Sequence, residues 1–198
     1  MEIKAKDFVE ALRCALAHAG KKDVRYYINS VAFDMQGDTL SLVGTDGHRG
    51  AFVEFKPRTL PAQGVWVATR ASVEVLLKAM GSKPAGYVTL EIGAGEIRVD
   101  PIGLRLEMIA GKYPDWRRVM IPHGRPEPTT EVGFNADYLA ESVKALGRLC
   151  HSKYRAVHME LRGQNSGIVL CAEICEADFP EIERAAAVIM PIRPVKKE

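Results

Sequence analysis

Apolar and polar positions along the chain alternate with a period of two, then of about 3.6, then of two again, and this order comes three times. A short strand over 2–6 precedes a helix over roughly 7–19, with Phe8, Leu12 and Leu16 on one face, Lys6 or Asp7 at its start and Gly20 as its stop. Strands follow at about 25–35, 39–44 and 50–55, turned by Gly37-Asp38 and Asp46-Gly47. Pro57, Pro61 and Gly64 mark a linker. The order then repeats as a strand at 64–69, a helix at 70–80 facing Val73, Leu76, Leu77 and Met80 inward, and strands at 87–92, 96–100 and 104–109. A second linker over about 111–130 carries Pro114, Pro122, Pro126 and Pro128. The third copy has a strand at 130–134 and a helix at 136–149. Asn135 is its N-cap, and Leu139, Val143 and Leu146 share one face. Its last strands fall at 157–162, 168–174 and 187–193, with an acidic loop at 176–183.

The fold class is therefore α+β, built from three strand–helix–strand–strand–strand units, here called units 1, 2 and 3. A lone unit cannot bury one helix on one small sheet, so neighbouring units must merge sheets and set their helices side by side. Three units in a row leave two exposed sheet edges, which a stable protein covers or uses for assembly. The turn Thr45-Asp46-Gly47-His48-Arg49 closes the last hairpin of unit 1 and carries a titratable ring and a fork-shaped cation.

At 198 residues and 47% hydrophobic content, the chain can form a real core in one or two domains. No apolar run reaches the roughly 18 residues of a membrane span, and the N-terminus lacks the apolar stretch of a signal peptide, so the expected location is the cytoplasm. Four cysteines without metal-ligand or redox spacing read as reduced thiols.

A net charge of +2 does not mark a nucleic-acid binder, but the distribution does more. Lys6, Arg13, Lys21, Lys22 and Arg25 cluster about the first helix, Arg70, Lys78 and Lys83 about the second, and Lys144, Arg148 and Lys153 about the third. Glu54, Glu91, Glu96, Glu107 and Glu173 lie on strands. If the helices share a face, that face is positive and can hold a phosphate backbone without reading sequence.

Catalytic signatures are absent from the sequence. There is no Gly-x-Ser-x-Gly elbow, phosphate loop or dinucleotide fingerprint, and His18, His48, His123, His151 and His158 have no ligand spacing. The expectation is a protein that is not an enzyme and needs no cofactor or metal.

Several segments resemble one family. Asp23-Val24-Arg25-Tyr26-Tyr27-Ile28-Asn29-Ser30-Val31, followed by Thr45-Asp46-Gly47-His48-Arg49, is similar to the middle domain of the bacterial DNA polymerase III beta sliding clamp family. The run from Gly111 to Met120 resembles that family's linker between its second and third domains. Phe134-Asn135-Ala136-Asp137-Tyr138-Leu139 resembles the entry to its last helix, and Val188-Ile189-Met190-Pro191-Ile192-Arg193 its C-terminal signature.

The resemblance implies a ring around duplex DNA, helices lining the hole and sheets outside, which tethers the replicative polymerase and does no chemistry. It also implies a peptide pocket of Thr45, Gly47, His48, Arg49, Pro114, Arg118, Val119, Met190, Pro191, Ile192 and Arg193, serving the polymerase and a clamp loader. An alternative is a clamp-like interaction protein that takes the same peptides without encircling DNA. Two departures stand out. Gly50 replaces a large aliphatic residue, which leaves one pocket wall open, and three units stand where the family has six.

The expected domains are 1–122, complete and made of units 1–60 and 61–122, and 123–198, half a domain completed by another chain. Twelve units per ring then require four chains. The expected homotetramer pairs unit 3 with unit 3 and closes where unit 1 meets unit 1.

Overall fold

The computed structural model describes residues 1–57, 59, 62–93, 95–120, 132–150, 153–163 and 166–192. Unit 1 comprises β1 (Glu2–Lys4), α1 (Ala5–His18), β2 (Ser30–Gln36), β3 (Thr39–Thr45) and β4 (Arg49–Phe55). Unit 2 comprises β5 (Gly64–Thr69), α2 (Arg70–Met80), β6 (Tyr87–Gly93), β7 (Glu96–Asp100) and β8 (Leu104–Leu106). A one-turn helix, α3 (Arg117–Met120), lies in the second linker. Unit 3 comprises α4 (Ala136–Leu146), β9 (Val157–Glu160), β10 (Ile168–Ala172) and β11 (Ile182–Ile189).

Period and composition place these elements, but several boundaries differ from those the pattern predicts. α1 starts at Ala5 and has no side-chain cap. Asp7 sits buried in its first turn instead, accepting the Glu181 amide at 3.0 Å. Residues 26–28 form a short 3-10 turn before β2. β11 begins five residues early, at Ile182, because it pairs along the whole of β4. The strand expected at 130–134 lies partly outside the described residues, and of the remainder Gly133 forms a single bridge to Ile192. Asn135 does cap α4, accepting from the Asp137 and Tyr138 amides.

Units 1 and 2 exchange their first strands. β1 pairs with β6 to give the sheet β1-β6-β7-β8, and β5 pairs with β2. The second sheet then runs β5-β2-β3-β4-β11-β10-β9 across seven strands. It contains the three strands of unit 3, joined through antiparallel β4–β11 from Ile189↔Arg49 to Ile182↔Phe55. This overturns the expected closure at unit 1. The outer edge of β4 is already taken within the chain, and the corresponding edge of unit 2, on β8, is the one without a strand partner among the described residues.

α1 is the central helix. It buries Phe8, Leu12 and Ala15 completely against the seven-stranded sheet, about 1.5–3 kcal/mol for each large side chain. Gly44 in β3 permits the contact, since a Cβ there would stand 1.8 Å from the Ala15 carbonyl oxygen. α2 flanks α1 on one side, where Arg70 donates to the Leu16 and Ala19 carbonyls and Arg13 to that of Gly81. α4 flanks it on the other, where Arg148 pairs with Glu10. Covered on both flanks, α1 buries even Cys14 and His18, whereas α2 buries only Val73 and Leu76.

His18 links α1 to α4. Its Nδ1–H donates to the Cys14 carbonyl at 2.8 Å, which leaves Nε2 to accept the Ser142 hydroxyl at 2.9 Å. Burial, with Arg49 nearby, pushes the imidazole from its ordinary value down to about 4. The unfolded chain therefore binds the proton first as pH falls from 6.5 towards 4. Stability that is full above pH 6.5 declines through this window, by up to ~3 kcal/mol from this residue. Urea denaturation at stepped pH should show this slope, and His18→Gln should flatten the part between pH 6.5 and 5.

Candidate functional site: the pocket beside the Asp46–Arg49 turn

The turn between β3 and β4 is held by its own polar groups. Asp46 Oδ1 accepts the His48 and Arg49 amides at 2.9 and 3.0 Å, and Oδ2 accepts Arg49 Nε at 3.1 Å. Thr45 Oγ1 donates to the Arg49 carbonyl at 2.7 Å and accepts the Gly47 amide at 3.1 Å. Gly47 has φ of +85°, and the Arg25 guanidinium lies where a side chain would go. Arg25 is held there by Asp23 at 2.8 Å, an exposed pairing that lowers the Asp23 carboxyl to about 2. The end of β11 joins the turn as the Met190 amide donates to the His48 carbonyl.

The linker forms the adjoining wall. Asp34, buried in β2, accepts Trp116 Nε1 at 2.8 Å and pairs with Arg117, whose guanidinium stacks on the Trp116 ring. Trp116 packs on Phe52 at 5.1 Å between centroids, and Tyr113 lies buried near Val43. Tyr113, Trp116 and Met120 thus cover the sheet face opposite the helices, in a second core with Val43, Phe52 and Val188.

Between turn, linker and β11 lies a cavity of about 330 Å³. The structure brings Thr45, Gly47, Arg49, Pro114, Val119 and Met190 together around it, from the residues singled out in the sequence. Val119 and Met190 are 56% and 41% exposed at its mouth. His48, Arg118, Pro191 and Ile192 do not line it, and Arg193 lies outside the described residues. His48 stacks instead on Tyr138 of α4. Gly50 lines it too, and Arg25, Tyr27, Ile28, Asp115, Trp116, Met120 and Val188 complete the lining without having been expected there. Arg25 thus belongs to this pocket and not to the helix face. The apolar Tyr27-Ile28 pair next to the matching Arg25 segment was the available signal.

Arg49 does more than face the cavity. It is 8% exposed; its Nη2 pairs with Glu141 of α4 at 2.6 Å, and its guanidinium lies 4.6 Å from the Tyr138 ring centre. The hydrogen bond from Arg49, helped by its charge, in turn holds the Glu141 carboxyl below its ordinary value. Arg49 is therefore a latch between unit 1 and unit 3.

Nor does Gly50 leave a wall open. A Cβ there would stand 1.8 Å from Met120 Cε, so the Met120 side chain fills that space from the linker.

On the helix side of the sheet, a second cleft is lined by Arg13, Lys21, Arg70, Lys144 and Arg148, with Glu141 the one acid among them. Lys22, Lys78, Lys83 and Lys153 are exposed outside it, the last over the Tyr154 ring. Lys6 lies apart, paired with Asp178 and over the Phe179 ring. Among the described residues no group of three or more His, Cys, Asp or Glu is placed to hold a metal, and no helix is long and apolar enough to cross a membrane.

This architecture is that of sliding-clamp structures. A DNA polymerase sliding clamp from Pseudomonas aeruginosa superposes with a TM-score of 0.80 at 19% identity, covering 98% of this chain and 66% of that one. One from Caulobacter crescentus gives 0.78 at 17%, covering 98% and 65%. The family model for the DNA polymerase III beta subunit, central domain, matches residues 2–115. The chain belongs to the DNA polymerase III beta-subunit family. Beta sliding clamps of Proteus mirabilis and Escherichia coli strain K12 are each 28% identical over 187 residues, 93% of this chain. The chain spans about half the length of these curated relatives, 47% in each case.

The Gly50–Met120 fit is open to a swap. Gly50→Leu alone overpacks the site and should cost about 1–3 kcal/mol. Met120→Ala alone leaves a void costing ~2–5 kcal/mol. The double variant should recover part of both losses in urea denaturation, and strictly additive costs would show that the two positions do not share the space.

Proposed function

We propose that this protein is a DNA sliding clamp, a non-catalytic processivity factor. It encircles duplex DNA as a ring of identical chains and tethers a replicative DNA polymerase, and a clamp loader, through the pocket beside Asp46–Arg49. The reading rests on one observation above the others. A basic cleft on the helix side and an apolar pocket on the linker side occupy opposite faces of one sheet. Basic side chains that carry no base-reading motif suit a phosphate backbone that must slide. Met, Val, Pro and Trp side chains form an adaptable pocket for a short apolar peptide, and Arg25 and Arg49 supply donors at its rim. A few such anchors support micromolar binding, about 8 kcal/mol.

Three units per chain and the twelve of a clamp ring give four chains. In this arrangement 1–122 is a complete domain, 123–198 is half of one, and the protein works in the cytoplasm.

A topological assay tests the ring. The loaded protein should remain on nicked circular DNA and be lost when the same DNA is linearised, and equal retention on both would favour the pocket-only alternative. The pocket is tested separately by Val119→Asp at its exposed mouth. The substitution should weaken a fluorescent peptide carrying the polymerase's clamp-binding segment by tenfold or more, about 1.4 kcal/mol, with unfolding unchanged. Unaltered peptide affinity would place the peptide elsewhere.

A further inference from the structure

Units 1 and 2 complete each other by exchanging strands, β1 onto β6 and β5 onto β2. Unit 3 repeats their helix and three following strands and, among the described residues, has no mate. α4 matches α2 in its eleven residues, in an N-cap side chain that accepts from the first turn, and in the glycine that follows. Two residues before each cap, a carbonyl accepts from the segment after the unit's last strand: Val67 from the Ile109 amide at 2.7 Å, Gly133 from the Ile192 amide at 2.8 Å. The backbone of 132–134 therefore stands in unit 3 as β5 stands in unit 2. β5 uses its other edge to pair with β2. Among the described residues, no strand pairs with that other edge of 132–134.

The receiving edge is open as well. β9 pairs with β10 on one side and, among the described residues, with no strand on the other. Met159 lies opposite Leu170 as Phe33 lies opposite Leu42, so Val157 and Met159 on β9, and Leu161 just after it, take the places of Val31, Phe33 and Met35 on β2. Those three β2 side chains are buried to 1% exposure or less, whereas Met159 is 47% exposed and Leu161 39%. Phe134 and Val143 add two more exposed apolar side chains on the same unit. An apolar core face left open beside an unpaired strand edge is a surface built for occupation.

We infer that a second copy of unit 3 occupies it across a two-fold axis, each chain adding its 132–134 segment to the other's β9. The chain carries both the open edge and a segment placed to fill such an edge, so the surface is self-complementary, as a two-fold contact requires. It also continues the seven-stranded sheet, which the exchanged β5 already closes at its far end. Carrying over the β2–β5 register puts Phe134 of one copy opposite Val157 of the other, and Val132 opposite Met159. The inference deepens the ring reading and rests on it for the second contact, through the free edge of β8, that joins two such pairs into a tetramer.

Light scattering on the full-length chain at micromolar concentration tests this. Wild type should have the mass of four chains. The double variant Met159→Glu, Leu161→Glu puts charges on exposed positions and should halve that mass with the far-UV circular dichroism unchanged. Val24→Glu, 97% exposed and outside both β9 and 132–134, should keep the wild-type mass. A monomeric wild type, or a double variant of undiminished mass, overturns the inference. Should the double variant misfold, Phe134→Cys with Val157→Cys gives an independent answer. Oxidation should yield a covalent dimer that reductant dissolves, and a purely monomeric gel band overturns the contact. Retention on circular DNA is scored apart. A wild type that assembles in this way yet leaves circular and linear DNA alike sinks the clamp reading and keeps this interface.

Discussion

The antiparallel pairing of β4 with β11 is the contact on which the rest of the molecule depends. It is main-chain hydrogen bonding between segments more than 120 residues apart, and it turns two small sheets into one. Because β4 begins at the Asp46–Arg49 turn, the same pairing brings Met190 to that turn and α4 to the flank of α1. Arg49 then spans the junction to Glu141 and Tyr138, and His18 spans it to Ser142. Burying an arginine is costly unless its donors are met, and here a carboxylate, a carbonyl, Asp46 and a ring face meet most of them. A residue that reads as a free recognition group is thus also structural, and pocket and junction cannot be altered independently at this position.

The linker after unit 2 contributes as much to the pocket as the turn does. Its aromatic residues cover a sheet face that would otherwise expose Val43, Phe52 and Val188, and buried Asp34 fixes their register by accepting the Trp116 indole. Met120 then enters the space over Gly50. The apparent defect at Gly50 is compensated by a side chain seventy positions away, an exchange of volume that packing density enforces. The pocket therefore has a continuous apolar floor even though its sequence departs from that of the family.

The proposed assembly follows from the strand edges that have no partner among the described residues. Two of its three units satisfy each other by exchanging strands, and the third repeats their geometry with no mate among the described residues. Edge strands and uncovered core faces are liabilities in a finished fold. Their placement here, β8 at one end of one sheet and β9 at one end of the other, is what the proposed ring of identical chains would consume.

The three-unit α+β pattern was legible in the sequence because apolar periodicity is local. Phe8 and Leu12, or Val73 and Leu76, announce their helix faces by spacing alone, and Gly and Asn residues mark turns and caps. The Asp46–Arg49 turn and the linker were legible as a candidate site only through their family resemblance, which contiguous motifs carry. What the tertiary structure alone decided is everything that depends on pairing across distance. Period-two patterns do not say which strand a strand will join, so the union of β4 with β11, and with it the closed edge of unit 1, could not be read. Met120 over Gly50, Arg25 under Gly47 and the latch made by Arg49 are likewise contacts of shape and charge between remote segments. Local periodicity determines the elements, whereas edge satisfaction and close packing, which act only between elements, determine where they meet.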